Sequence, residues 1–295
     1  MQAFVIAMPV LASGQLDQIA PGVRRLVANN PGYMTGPGTN SYVIGYERFF
    51  VVDPGPQEQR HVERLLEVTQ GRIDAVLATH THQDHSPGAR ALCERTAAAL
   101  YGMRAVHAER QDPTFAPTRE LRDNDVVNVD GIQVRALHTP GHASNHLCYL
   151  LPDGLLLTGD HLMQGSTVVI TPPDGNMRSY LQSLERLQSE PVRSLAPGHG
   201  AVIENGQGEI AGVIAHRLKR EAKVIAKLLD AGGSATTDAL VPPVYDDVDP
   251  RIHPVARYSL LAHLIKLCED GKVTQQGEEP TRIWRWVGTN AGNPA

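Results

Sequence analysis

Seven consecutive residues, Thr79-His80-Thr81-His82-Gln83-Asp84-His85, constrain this chain more than any other stretch. They follow the apolar run Ile73-Asp-Ala-Val-Leu-Ala78. They precede Ser86-Pro87, which reads as an N-cap and first helical residue of a helix through Ala98. Three histidines and an aspartate thus sit where a buried strand gives way to a helix. Residues two apart on extended backbone point the same way, so His80 and His82 can converge on one ion. Asp84 and His85 lie past the strand, where a turn can aim them at a second ion. Imidazole nitrogen and carboxylate oxygen suit zinc, with manganese or iron also possible. A lone loop histidine is ordinary; this cluster is not explained by solvent exposure alone.

The surrounding pattern is that of an α/β layered domain. Tyr42–Gly45 and Phe49–Val52 read as a hairpin about Gly45-Tyr46-Glu47-Arg48, stopped by Asp53-Pro54-Gly55. A helix is expected around His61–Thr69. Further strands are expected at Val126–Val129, Ile132–Leu137, Leu147–Leu151, Leu155–Thr158 and Ser194–Ala196. Three of these strands end in chemistry-bearing turns. Thr139-Pro140-Gly141-His142 follows one, Gly159-Asp160 ends another, and Pro197-Gly198-His199-Gly200 follows the last. Loops at strand ends are where such scaffolds carry their sites.

Beyond about residue 208 the pattern changes. Ile210–Asp230 reads as a helix with Ile214, Leu218, Ala222, Ile225 and Leu229 along its apolar stripe, ended by Gly232-Gly233. A short helix after Thr237, another over Val255–Asp270, and strands at Lys272–Gln275 and Arg282–Val287 complete the outline of a winged-helix module. The expected division is a catalytic domain over 1–207 and a winged-helix-like domain over 208–295. His216, Arg220, Lys223 and Lys227 form a second stripe, open to two readings: a solvated charged face or a track for phosphates. Trp284 and Trp286 alternate, so one face of the last strand is aromatic and is expected to pack on its module.

Composition excludes several classes. The three cysteines, Cys93, Cys148 and Cys268, are far apart, which excludes a disulfide scaffold and any paired-cysteine metal site. A net charge of −5 argues against a protein that coats duplex nucleic acid. The apolar start, Ala3–Leu11, lacks basic residues before it and contains Pro9, so a first β-strand is expected rather than a signal peptide. No stretch reaches membrane length, and a cytoplasmic protein is expected. No protein partner is evident, and self-association is left open.

The series His80-x-His82-x-Asp84-His85, His142, Asp160 and His199 resembles the five-part motif series of the metallo-β-lactamase superfamily, over about residues 20–205. The resemblance implies an αββα sandwich with its site on the shared edge of two sheets. It implies that His80, His82 and His142 bind one metal, that Asp84, His85 and His199 bind the other, and that Asp160 bridges two zinc ions. Asp160 stands where dedicated β-lactamases carry a cysteine, which points away from antibiotic hydrolysis. Asp53 resembles a family aspartate beside the site that supports ligands without being one.

Gly38-Thr39-Asn40-Ser41-Tyr42, the Thr139–His146 element and the C-terminal region together resemble the β-lactamase-like protein 2 group. That group includes a metal-dependent endoribonuclease acting on single-stranded RNA. The histidine-rich element also resembles glyoxalase II, which hydrolyses glutathione thioesters. Single-stranded RNA is thus the first expected substrate, a small-molecule thioester or ester the second, and a non-catalytic binding protein the third possibility. Two cations would lower the pKa of a shared water to about 7 and polarise the bond attacked. Asp84 and His146 are the candidate catalytic residues besides the metals. His146 has two open readings: a proton- or hydrogen-bond-donating group near the substrate, or a histidine satisfied inside its strand. His107, His138 and His161 are expected to be structural or at the surface, and Met163-Gln-Gly-Ser-Thr167 has no evident role.

Overall fold

Alternation of short apolar strands with amphipathic helices gives two facing sheets clad by helices. The computed structural model describes residues 11–107 and 110–287. The expected strand over Ala3–Leu11 falls almost wholly outside them. The first sheet runs β1 (Leu16–Ala20), β2 (Val23–Val27), β3 (Asn40–Ile44), β4 (Phe49–Val52), β5 (Ile73–Leu77), β6 (Ala99–Gly102) and β7 (Arg119–Glu120), in that spatial order. Its early pairings are antiparallel, and those from β4 onward are parallel. The parallel part needs crossovers, supplied by α1 (Gln59–Thr69) and α2 (Gly88–Thr96). The second sheet holds β8 (Val126–Val129), β9 (Ile132–His138), β10 (Leu147–Leu150), β11 (Leu155–Gly159) and β12 (Ser194–Pro197), with β12 joined parallel to β11 after α3 (Met177–Gln188).

Three apolar layers follow from this order. Tyr42, Leu77, Val134, Leu147, Tyr149 and Leu157 fill the space between the sheets. Leu65, Val76 and Leu92 pack the first helix pair on its sheet. Leu156, Leu184 and Leu195 pack α3 on the other. The expected αββα sandwich is therefore the architecture, with both sheets covered on their outer faces. The expected cap at Ser86 differs: Pro87 takes the cap position, and Ser86 Oγ instead donates to Asp112 Oδ2 at 2.9 Å. A fully buried hydroxyl takes the carboxylate available beside it.

The chain continues as α4 (Gly206–Asp230), β13 (Ser234–Thr236), α5 (Thr237–Val244), α6 (His253–Glu269), β14 (Val273–Gln276) and β15 (Ile283–Trp286). The three strands form a small sheet in the order β13-β15-β14. Helices closed by such a hairpin make the expected winged-helix module. Trp284 is fully buried and donates from Nε1 to Thr237 Oγ1 at 3.0 Å, so the aromatic face packs on its own module. Helix α4 joins the two cores, with Ile210 and Val213 packed beside α3 and Val224 and Leu228 packed in the module. No helix among the described residues is long and apolar enough to cross a membrane.

The expected apolar stripe of α4 is displaced by one residue. Val213, Arg217, Glu221, Val224 and Leu228 are buried, whereas Leu218 and Leu229 are exposed. One residue is about 100° of helix rotation. Two of these inward charges meet opposite charges, Arg220 bonding Asp247 at 2.7 and 2.9 Å and Glu221 bonding Lys266 at 3.0 Å, while Arg217 donates to the carbonyl of Val168. The basic stripe is correspondingly not an open track. Arg220 is 7% exposed, Lys223 pairs with Asp246 and Asp247, and Lys227 pairs with Asp230. Arg220→Glu should therefore lower the unfolding free energy of the full chain by about 3–5 kcal/mol, because it buries a carboxylate against Asp247. Lys219→Glu, on the exposed side of the same turn, should stay within about 0.5 kcal/mol. Urea denaturation of both variants checks the rotation; equal, small effects would contradict it.

Candidate metal centre

The site forms where β4, β5, β9, β11 and β12 end on the same edge of the two sheets. Asp53 follows β4 with a left-handed φ of 51°, a conformation that aspartate tolerates better than most side chains. Its carboxylate accepts from Thr79 N and Thr79 Oγ1, both at 2.7 Å, and lies 2.9 Å from His85 Nδ1. The end of β4, the end of β5 and the histidine loop are thereby fixed together. Asp53 touches a candidate ligand without entering either ligand group, matching the support role that the resemblance implies.

The seven candidate ligands fall into two groups. His80, His82 and His142 converge in one; Asp84, His85, Asp160 and His199 converge in the other. Nε2 of His80 and Nε2 of His142 each lie 3.0 Å from Nδ1 of His82. Asp160 Oδ1 is 3.3 Å from His85 Nε2 and 3.4 Å from His199 Nε2, while its Oδ2 faces His142 Nε2 at 3.7 Å. Asp84 Oδ2 is 3.2 Å from His199 Nε2. One carboxylate, Asp160, thus addresses both groups.

Ring orientation is set from outside the cluster. His142 Nδ1 faces Val169 O at 2.8 Å, His199 Nδ1 faces Gly38 O at 3.2 Å, and His80 Nδ1 faces Thr79 Oγ1 at 3.1 Å. An Nδ1 engaged outward leaves Nε2 to point inward, toward the ligand group. Gly198 is required by close approach: a Cβ there would sit 2.7 Å from the His85 ring and 2.8 Å from Asp160 Oδ1. The Gly38–Tyr42 motif acts from the same side. Asn40 Nδ2 donates to Pro197 O at 2.8 Å and to Gly200 O at 2.9 Å, and Tyr42 Oη donates to Pro197 O at 2.6 Å. These bonds clamp the loop that carries His199.

The two groups differ in charge. Burial, reinforced by neighbouring imidazoles, pushes His80 well below the usual histidine range and His82 down to about 3. Burial also opposes charge on His85 and His199, but Asp84, Asp160 and Asp53 outweigh it at His85 and hold its pKa well above normal. Asp160 and Asp84 raise His199 to about 9. His80 and His82 are therefore neutral near pH 7, whereas His85 and His199 face the carboxylates of Asp84 and Asp160 as imidazolium groups.

Sequence reasoning identified the ligand-type residues but not the cavity beside them. A cavity of about 420 Å³ opens on His82, Asp84, His142 and Asp160, walled by Met34, Met163, Val168, Pro172, Val255 and Tyr258. Met163, which had no evident role, is part of that wall, and the winged-helix module contributes Val255 and Tyr258. His107 lies at its edge as an exposed side chain, and His161 is fully buried. His146 is also fully buried and stacks on His80 with ring centroids 5.1 Å apart; its Nδ1 faces Thr139 Oγ1 at 3.0 Å. It lies behind the cluster rather than in the cavity wall.

The profile of the metallo-beta-lactamase superfamily matches residues 34–199, and that of the beta-lactamase associated winged helix domain matches residues 236–286. The "Atrochrysone carboxyl ACP thioesterase" of Aspergillus fumigatus is 33% identical over 78% of this chain and 76% of its own length. The "Beta-lactamase-like protein 2 homolog" of Drosophila melanogaster is 30% identical over 92% of this chain and 96% of its own length. A beta-lactamase domain protein from Burkholderia ambifaria superposes with a TM-score of 0.81 at 22% identity, covering 97% of this chain and 96% of that one; at this identity the likeness is one of fold. The sandwich, its edge cluster and these matches agree: the chain belongs to the metallo-β-lactamase superfamily and carries the associated C-terminal winged-helix domain.

Proposed function

We propose that this member of a metal-dependent hydrolase family is a dinuclear thioester hydrolase. The observation that carries the reading is the largely apolar cavity of about 420 Å³ lying directly on the open side of the His/Asp cluster, with Arg110 and Asp174 among its few polar wall residues. Such walls suit an acyl group better than a sugar-phosphate backbone. The named activity of the Aspergillus fumigatus relative, an ACP thioesterase, supports the same class. The basic residues His216, Arg220, Lys223 and Lys227 offer no open phosphate track, because Arg220, Lys223 and Lys227 are paired with carboxylates of this chain, so that stripe lends RNA no support.

The donor set fits two cations. His85 Nε2, His199 Nε2 and Asp160 Oδ1 are buried without hydrogen-bond partners, a state that is costly unless an ion takes them up. We assign His80, His82 and His142 to one ion, Asp84, His85 and His199 to the other, and Asp160 to both, with zinc as the ion of choice. When bound, two such ions would supply a nucleophile at neutral pH and polarise the carbonyl attacked. Asp84 lines the cavity, so its carboxylate can also take the proton given up during attack. His146 has no exposed surface and cannot protonate a leaving group. A thiol, with a pKa near about 8.5, departs as thiolate without that help, which again suits a thioester. We read His146 as packing that holds the His80 ring.

Zinc-loaded protein assayed in parallel on an acyl-pantetheine thioester, single-stranded RNA and nitrocefin tests the substrate class. The thioester should reach the ~10⁴ M⁻¹s⁻¹ floor of working enzymes. Nitrocefin should fall about 100-fold or more below it, because Asp160 replaces the cysteine of dedicated β-lactamases. RNA cleavage without thioester turnover would refute the reading.

Proton release tests the ligand assignment. His80 and His82 sit below neutral pH in the metal-free protein, so filling their group displaces no proton from either at pH 7. His85 and His199 are raised above it, so each must lose a proton to bind a cation. Affinity of the second group should consequently strengthen as pH rises from 6 to 8. Calorimetric titration in buffers of different ionisation enthalpy should detect about two protons released on filling both groups; zero release would contradict the assignment.

A further inference from the structure

The cavity at the cluster does not end at its apolar wall. A second cavity, of about 260 Å³, shares Met34, Met163, Val169 and Val255 with the first and continues toward α4. Its far side is formed by Ser166, Arg217, Arg220 and Tyr245, with exposed His216 at the rim. The combined space is apolar in the middle and polar at both ends.

The two arginines at the far end are not equivalent. Arg220 is neutralised by Asp247 through two hydrogen bonds, of 2.7 and 2.9 Å. Arg217 is only 3% exposed and has no carboxylate partner among the described residues. One Nη donates to Val168 O, the guanidinium lies 5.3 Å from the centroid of the Tyr180 ring, and its buried Nε has no hydrogen-bond partner. These neighbours are neutral dipoles and do not cancel the charge. Glu221, one turn further along α4, is engaged by Lys266. A guanidinium buried without a counter-charge is expensive to keep, and that cost is relieved if an anion enters the cavity it lines. His216 adds no negative charge there.

We propose that the two cavities form one substrate groove, in which an anionic group at the far end of the bound thioester pairs with Arg217. This rests on the thioester reading and narrows it to substrates that carry a second, negatively charged end. The anion can be a carboxylate terminating the acyl chain or the phosphate of a phosphopantetheine leaving group. Both present oxygens to a guanidinium in the same way.

Two matched pairs of thioesters distinguish the sources. One is a long ω-carboxyacyl thioester of N-acetylcysteamine against its ω-methyl ester; the other is an acetyl thioester of phosphopantetheine against that of pantetheine. Wild-type protein should prefer the charged member of one pair by about 10- to 100-fold in kcat/KM, the range of a charge-assisted hydrogen bond. The pair that shows the preference identifies the anion. Arg217→Met should abolish the preference, and Arg217→Lys should restore part of it. Because Arg217 is buried and its replacement risks the fold, Val255→Trp supplies a second test: it fills the wall shared by the cavities, leaves Arg217 in place, and should reduce the same preference. No preference in either pair, or one that survives both Arg217→Met and Val255→Trp, overturns the proposal. If wild-type protein turns over no thioester, the functional reading fails, and the groove is judged by calorimetry alone. Decanedioate should then bind about tenfold more tightly than its monomethyl ester, with the difference lost in Arg217→Met; equal binding overturns the proposal.

Discussion

The carboxylate of Asp53 holds three separate pieces of the structure in one arrangement. It receives the backbone and hydroxyl of Thr79 and faces Nδ1 of His85, so the ends of β4 and β5 and the loop behind them move as a unit. Asp53 itself adopts a left-handed backbone to reach them, a cost repaid by buried charge-assisted hydrogen bonds. The Gly38–Tyr42 clamp performs the matching task for the His199 loop across the sheet edge. Between the two anchors, ligand-type side chains from both sheets meet.

Electrostatics then divides the cluster. In the metal-free state the carboxylates of Asp84 and Asp160 keep His85 and His199 protonated, while the His80 side is driven neutral by burial and by its neighbouring imidazoles. Cations entering such a site would replace protons on His85 and His199 and meet unprotonated nitrogens on His80 and His82. The winged-helix domain completes the surroundings by walling the cavity with Val255 and Tyr258. The domain thus has a place in the site that does not depend on nucleic acid.

How much of this was legible in the sequence depended on how local the signal was. The seven ligand-type residues stand at or just after strand ends, and three of them, His142, Asp160 and His199, directly follow a glycine, so motif and topology coincide; the winged helix follows from periodicity, and the αββα sandwich from the family resemblance that those residues carry. The apolar stripe of α4 is displaced by one residue because residue type places Arg220 on an open face and gives no reason to bury Arg217 or Glu221. Their burial depends on Asp247, Tyr180 and Lys266, partners distant in sequence or on other elements. The pairing of β1 with β2, the short strands β6 and β7, and helix α3 were not read at all. The cavity walls were equally silent, since Met34, Met163 and Val255 come from three unrelated segments and share no spacing. His146 illustrates the limit differently: its position four residues after His142 is compatible with either side of the strand, and only packing against His80 decides.

The central claim is that a single carboxylate, Asp160, joins two cation sites, and metal stoichiometry tests it most directly. Dialysed wild-type protein, analysed by plasma emission spectrometry after zinc loading, should hold two ions per chain. Asp160→Ala should hold one or fewer while retaining its circular-dichroism spectrum, since like charges about 4 Å apart repel without the bridging anion. Two tightly held ions in Asp160→Ala, or fewer than two in the loaded wild-type protein, would contradict the account.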